Sequence, residues 1–390
     1  MKIAQRVQHV KPSPTLAVTQ RAEELKRQGY DIISLGAGEP DFPTPDHICY
    51  AAVQAITHGK TYYTAVDGIS ELKQAIIQKF ARDNQLNYKP EQIVVSTGAK
   101  QSIYNAMQAL IEEGDEVIIP VPYWVSYPDM VKLAEGVPVF VHADLSQNFK
   151  ITPAQLAAAI TDKTRMVILN SPSNPSGACY SAPELKALGE VLLQHPNIIV
   201  LSDDIYESII WEGQFHHILN QVPALVDRTL VLNGVSKAYS MTGWRIGYIA
   251  GAFELIQPIK TIQSQSTSNA CSIAQYASVA ALNGHQDFIQ DWVAQFKTRH
   301  DFVVAALQAI DGVEVKPSQG AFYSFPNMQG VIDRLGLQND LELADLLLTQ
   351  AQVAAVSGSA FGLEGYLRFS FATCMENLEK AFASIQKVLA

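Results

Sequence analysis

The chain lacks several features that would otherwise fix its class. Its four cysteines, Cys49, Cys179, Cys271 and Cys374, are scattered through 390 residues with no CxxC pair. That spacing offers neither a zinc cluster nor a disulfide framework, and it suits a reducing compartment. Basic residues are outnumbered, 28 against 38 acidic, giving a formal net charge of −10. A nucleic-acid or anionic-membrane partner is therefore not expected, since both need clustered lysine and arginine. No stretch approaches the roughly 20 apolar residues that a membrane-crossing helix requires. Met1 to Gln20 mixes charges with prolines and forms no apolar secretory core. A cytoplasmic protein is the expectation. Internal repeats and low-complexity linkers are also missing, so domain limits are weakly marked.

What is present is an alternation. Short apolar runs, Gln92 to Thr97, Asp115 to Pro120, Met166 to Asn170, Ile198 to Asp203, Thr229 to Asn233 and Arg245 to Gly251, are separated by helical patterns. Strand and helix in turn predict an α/β fold with a largely parallel sheet. A chain this long exceeds the size at which one core keeps growing, so two lobes are expected.

The stretch from Ser236 through Lys237 to Arg245 and Gly247 frames a lysine with hydroxyls, a glycine-containing turn and an arginine. Nearby positive charge and partial burial lower a lysine's pKa and make its amine a nucleophile toward aldehydes. Ser236 and Arg245 are suited to a phosphate, which points to pyridoxal 5'-phosphate; a surface lysine in a polar loop is the plain alternative. Asp203 ends an apolar run, and in open α/β sheets ligands bind outside the carboxyl ends of strands. There an ionised carboxylate could keep a pyridine nitrogen protonated, making the ring an electron sink. The rigid turn Asn170-Ser171-Pro172-Ser173-Asn174-Pro175 would aim Asn174 at the ring oxygen, with the Tyr206 hydroxyl as second donor. The run Ser96-Thr97-Gly98-Ala99-Lys100 passes from strand through a small-residue turn into a helix, whose free amides favour a phosphate dianion. Arg368 lies on an alternating strand, Gly365 to Phe371, and its planar fork matches an α-carboxylate.

With these residues the chain resembles the class I aminotransferases that depend on pyridoxal 5'-phosphate (fold type I), and among them the bacterial aspartate and aspartate/prephenate aminotransferases. The resemblance also takes in Ser34-Leu35-Gly36-Ala37-Gly38-Glu39-Pro40-Asp41-Phe42 and Tyr123-Trp124-Val125-Ser126-Tyr127, and runs from Val7 to the C-terminus. It implies a large lobe over residues 46–290 with a mostly parallel seven-stranded sheet. A smaller α/β lobe is built from residues 1–45 and 291–390. It further implies that Lys237 forms the internal aldimine, Asp203 pairs with the pyridine nitrogen, and Asn174 and Tyr206 bond the ring oxygen. Trp124 would stack on the ring. Gly98, Ala99, Lys100, Ser236 and Arg245 would hold the phosphate, joined by Tyr63 of a second subunit in a homodimer. Gly38, Trp124, Asn174 and Arg368 would receive the substrate, with Lys100, Lys11 and a neighbouring Ser264 as candidates for its distal carboxylate. The activity implied is ping-pong transfer of an amino group between aspartate or glutamate and 2-oxoglutarate, with prephenate as a further acceptor or an aromatic amino acid as an alternative substrate.

Three departures from the family pattern need a physical check. Asp204 stands where glutamate often follows the pyridine aspartate. Ala99 replaces a glycine, which is harmless only with negative φ. Ser173 replaces an asparagine. Rival motifs fit less well: Gly36-Ala37-Gly38 runs into Glu39-Pro40 with no third glycine, Gly59-Lys60-Thr61 lacks the earlier glycine of a P-loop, and Ser70-Glu71-Leu72-Lys73 has no following Ser-Asp-Asn. A non-enzymatic effector-binding lobe is the rival of a different kind; such regulators carry an added DNA-binding segment, for which no room is read before Val7.

Overall fold

The computed structural model describes residues 3–390. Its main sheet has seven strands, in the spatial order Ile93–Thr97, Ile246–Ala250, Thr229–Gly234, Ile199–Asp203, Thr164–Asn170, Glu116–Val121, Val137–His142. All neighbours are parallel except Ile246–Ala250, which runs antiparallel to the strand on either side. The six apolar runs are six of these strands. They read as unbroken apolar stretches because helices cover both faces. Val95, Ile118, Val167, Val200, Val231 and Tyr248 enter the core on one face. Their sequence neighbours Val94, Ile119, Ile168, Leu201, Leu232 and Ile249 enter the core on the other, as the period of two requires.

Val137–His142 was not among the apolar runs. It is an edge strand with Val137 and Phe140 exposed, and Pro138, tolerated at an edge, weakens its signature.

A second core gathers Phe296, Val303, Leu307, Phe322, Val331, Leu343, Phe369 and Phe382 from the C-terminal part of the chain, together with Leu35 and Tyr206 from earlier segments. Its three-stranded antiparallel sheet places Leu367–Ser370 between Val356–Ser357 and Tyr323–Ser324. The central strand alternates between the core and the cleft. All four of its residues are buried. Leu367 and Phe369 face the core, whereas Arg368 points to a cleft instead of bulk water. The helix Asp287–Gln308 spans both cores, with Ile289 and Val293 in the first and Phe296 and Val303 in the second.

Residues 33–44 stitch the two cores together. Ile33–Ser34 pairs in parallel with Val353–Ala354, and the Leu35 carbonyl accepts from Ser370 N at 2.7 Å. Further on, Asp41 pairs with Arg299 at 2.7 Å and Phe42 stacks on Trp292 with ring centroids 4.7 Å apart. Thr44 Oγ1 donates to the Ser240 carbonyl at 2.6 Å. Gly36-Ala37-Gly38 thus lies in an extended segment that starts no helix. Lys73 bonds Asp67 and donates to the Pro90 carbonyl at 2.9 Å, and Lys260 adds a second cation 3.0 Å from the same carboxylate. With Ser70 exposed on the helix's first turn, the serine–lysine motif is a helix start beside a structural ion pair.

Gly247 sets how closely the strand Ile246–Ala250 approaches the helix Ala99–Leu110. A Cβ at Gly247 would lie 2.1 Å from Ala99 N and 2.6 Å from Ala99 Cα, all backbone. Gly247→Ala is expected to destabilise the fold by about 1–3 kcal/mol, since overpacking against backbone cannot relax by rotamer change; urea unfolding measures it.

Candidate active site

Where the strands of the main sheet end, a cleft of about 430 Å³ opens, walled on the far side by Tyr323, Arg368 and the segment around Gly38. Asp203 arrives there as the last residue of the innermost strand Ile199–Asp203. Its neighbour Asp204, by the same alternation, points into the protein. Ser202 Oγ donates to Asp204 at 2.7 Å, and His217 Nε2 lies 3.0 Å from it. His217 Nδ1 accepts from Leu219 N at 3.0 Å, so the ring proton sits on Nε2, facing the carboxylate. Asp in place of glutamate is accommodated away from the cleft.

Asp203 is buried, and burial pushes its carboxyl up to about 6. The Tyr127 hydroxyl counters part of this by donating to Oδ2 at 2.6 Å, and Ile205 N donates to Oδ1 at 3.3 Å. The backbone of Asp203 is held as well, its carbonyl accepting from Asn170 Nδ2 at 2.9 Å while Asn170 Oδ1 accepts from Asn174 N at 2.9 Å. One asparagine therefore ties the proline turn to the end of the aspartate strand.

Lys237 sits on the turn after Thr229–Gly234 and donates to the Gly38 carbonyl at 2.5 Å. Burial lowers its amine to about 8; Glu39 opposes the shift, while Arg368 and Arg245 add to it.

The helix Ala99–Leu110 begins at the cleft with no side chain capping its first amides. Gly98 has a positive φ of 81°, and Ala99, the first helical residue, does not. The alanine is harmless there. A Cβ at Gly98 would also strike Arg245 Nη2 at 2.3 Å, so the glycine admits the guanidinium to the helix start. Arg245 itself has φ 56° and donates to the Thr242 carbonyl at 2.9 Å. The result is an electropositive corner of free amides and a guanidinium, bordered by Ser236 and Lys100. Lys100 lies 4.9 Å over the Trp124 ring, its pKa lowered by burial and then by Arg245. Trp124 meets Tyr127 edge to face at 5.3 Å.

On the opposite wall, Arg368 is 2% exposed. Nη1 donates to Asn174 Oδ1 at 2.9 Å and Nη2 to the Gly36 carbonyl at 2.7 Å, while Nε, also buried, has no partner. Three of its five N–H groups thus remain for an incoming acceptor.

Eleven of the residues singled out in the sequence line this one cleft: Gly38, Ala99, Lys100, Trp124, Asn174, Asp203, Tyr206, Ser236, Lys237, Arg245 and Arg368. Gly98 adjoins it. Lys11 lies instead in a neighbouring cleft with Lys100, Asp129 and Arg245. Tyr63, 91% exposed, and Ser264, whose Oγ donates to the Thr261 carbonyl at 2.7 Å, are not among the residues lining the cleft within the chain. Sequence reasoning gave no role to Asn170, Tyr127, Glu39, Thr242 or Tyr323. Tyr127, Glu39 and Asn170 stood inside quoted motifs; Tyr323 carried no signal at all.

An α/β scaffold that brings a pKa-lowered lysine, a buried acid and an anion-binding helix start to the carboxyl edge of its sheet has the makings of a group-transfer enzyme. The comparisons give that class its name. Residues 30–385 match the family described as aminotransferase class I and II, and the chain belongs to it. An aspartate/prephenate aminotransferase of Nitrosomonas europaea is 54% identical over the whole of both chains, and an aspartate aminotransferase of a Bacillus species is 47% identical over 99% of this chain and 98% of that protein. Among solved structures, the aspartate aminotransferase of Rhizobium meliloti superposes with a TM-score of 0.96 at 48% identity, covering 100% of this chain and 99% of that one. That of Thermus thermophilus, with maleate, gives 0.93 at 39% identity over all of both chains.

The buried Asp203 makes a stability prediction for the apoprotein. Its folded pKa, raised from 3.8 to about 6, favours the fold below pH 3.8, and that contribution is lost as pH rises through about 6. Ionised, the group costs about 3 kcal/mol. Asp203→Asn, which can still accept from Tyr127, is expected to unfold at higher temperature than the wild-type apoprotein at pH 7.5, with the gap closing toward pH 4. Calorimetry across that range checks it.

Proposed function

We propose that the chain is an aspartate aminotransferase that uses pyridoxal 5'-phosphate, exchanging amino groups between aspartate or glutamate and 2-oxoglutarate. The observation that carries this is the shared cleft of Lys237, Asp203 and Arg368, an amine, an acid and a carboxylate receptor facing one space. The residues present fit the cofactor. The positive φ of Gly98, with Arg245 packed where a side chain would stand, leaves a cradle of amides for a phosphate, and Asp203 is a buried carboxylate with no cation bonded to it. Gly98, Ala99, Lys100, Ser236 and Arg245 would hold the phosphate, Asp203 the ring nitrogen, Asn174 and Tyr206 the ring oxygen, and Trp124 the ring face.

When bound, the cofactor supplies an aldehyde for amine exchange and a ring that accepts electrons from the substrate Cα. Lys237 Nζ would anchor it and would serve as the general base for the substrate Cα proton. Its lowered pKa, about 8, leaves a usable fraction unprotonated near neutrality. Arg368 orients the substrate by its α-carboxylate, using the N–H groups its protein partners leave free, with Gly38 and Asn174 beside it. Tyr127 holds Asp203 in place, and Asn170 fixes the turn that carries Asn174.

For the distal carboxylate, the candidate among the four cationic side chains lining the cleft is Lys100, and Lys11 borders the adjoining space with it. The N. europaea relative's name includes prephenate, and these two lysines support prephenate as a second acceptor here. The exposed Tyr50, Val53, Ile56, Tyr62 and Tyr63 support a homodimer in which Tyr63 and Ser264 reach the neighbour's cleft. We place the large lobe at residues 46–290, with the remainder forming the small one. Among the described residues no helix is long and apolar enough to cross a membrane, and the four free cysteines suit a cytoplasmic location.

A visible absorption scan of the purified protein tests the cofactor and first half-reaction together. Adding aspartate is expected to convert the long-wavelength band to the band of the aminated cofactor; an unchanged spectrum rejects aspartate as a substrate. Borohydride reduction followed by peptide mapping should label Lys237, and Lys237→Ala should lower kcat by at least about 10⁴-fold. Parallel assays with prephenate as acceptor decide the second substrate.

A further inference from the structure

Tyr323 lies at the meeting point of three groups of the cleft. Its hydroxyl is 2.7 Å from the Tyr206 hydroxyl, and its ring centroid is 4.4 Å from the Arg368 guanidinium carbon. Its oxygen also faces Gly38, where an added Cβ would stand 3.2 Å away. Tyr323 is fully buried and Tyr206 nearly so. Two neutral phenols at that distance share a single proton between them, so one donates and the other's proton must point elsewhere. The more acidic phenol is the donor. Tyr323 carries the Arg368 cation over its own ring, which stabilises negative charge on its oxygen. Each phenol has a carboxylate that raises it, Asp203 for Tyr206 and Glu39 for Tyr323, and Lys237 Nζ lies over the Tyr206 ring at 5.8 Å, farther than the 4.4 Å of Arg368 over Tyr323. The closer and permanently charged guanidinium makes Tyr323 the donor and leaves the Tyr206 proton free to point into the cleft that both residues line.

We propose that Tyr323 is a positioning residue that donates to Tyr206 and so commits the Tyr206 proton to the ring oxygen of the bound cofactor. This rests on the aminotransferase reading above. Without Tyr323, the Tyr206 hydroxyl can rotate, and it loses the polarising donor that strengthens its own hydrogen bond. A donor aimed at the ring oxygen favours the more negative, deprotonated form of the lysine-bound cofactor. Weakening that donor therefore shifts the pH midpoint of the visible band upward.

The test uses holoenzymes of the wild type, Tyr323→Phe, Tyr206→Phe and the double variant. Each is titrated from pH 5 to 10 by visible absorbance, and each apoprotein is dialysed against pyridoxal 5'-phosphate for its dissociation constant. Tyr323→Phe keeps the ring beneath Arg368, so KM for the amino acid should stay within about twofold. Its band midpoint should move to higher pH, the acid constant falling about threefold or more. In Tyr206→Phe the shift should be larger, and the double variant should match Tyr206→Phe alone, because Tyr323 acts only through Tyr206. Cofactor affinity should follow the same non-additive order. An unmoved midpoint in Tyr323→Phe, or shifts that add in the double variant, overturns the proposal. If the wild type has no visible band, it is the cofactor reading that fails.

Discussion

The structure depends on keeping a carboxylate at Asp203 in a place where water would normally be needed to support it. Burial works against the charge, and the Tyr127 hydroxyl together with one backbone amide makes up only part of the loss. The rest is left for a cation that the fold does not itself provide. Asp204 is equally buried, but one of its oxygens accepts from Ser202 Oγ and His217 Nε2 lies 3.0 Å from the other. Two adjacent acids on one strand end thus have opposite fates: one is closed off inside the protein, and one is left waiting at the cleft. Strand alternation separates them, and the difference in partners makes only one of them chemically available.

The same economy recurs around the cleft. Lys237 has no carboxylate bonded to it, only the Gly38 carbonyl, and burial weakens its hold on a proton. The helix start at Ala99 has no cap, and Arg368 keeps a buried Nε unpaired. Each is a local deficit that a compact protein would ordinarily fill. Together they leave an amine, a buried acid, an anion-binding helix start and a guanidinium open toward one space. Stability is supplied elsewhere, by the two cores on either face of the sheet and by the aromatic cluster of the C-terminal part.

The strap of residues 33–44 lets these deficits face one space. It pairs with Val353–Ala354, offers the Gly36 carbonyl to Arg368 and the Gly38 carbonyl to Lys237, then locks onto Arg299, Trp292 and Ser240. A glycine-rich segment suits this because side chains would crowd the cleft. Tyr323 already sits 3.2 Å from where a Gly38 Cβ would be.

Much of this was legible in the chain itself. Six of the seven main-sheet strands are continuous apolar runs, because a strand covered on both faces must be apolar at every position. The lysine, the strand-end aspartate, the helix-start glycine and the strand arginine announce themselves by residue type and local spacing. The edge strand Val137–His142 did not, since half its residues meet water and Pro138 disguises it. Only the tertiary structure decided that Arg368 is buried against a cleft instead of wet on an edge, that Tyr127 supports Asp203, and that Tyr323 joins Tyr206 to Arg368. Those facts depend on residues 76, 117 and 194 positions apart being brought within a hydrogen bond of one another. Local pattern encodes which side chains can do chemistry, but the packing of distant segments sets which of them share a proton.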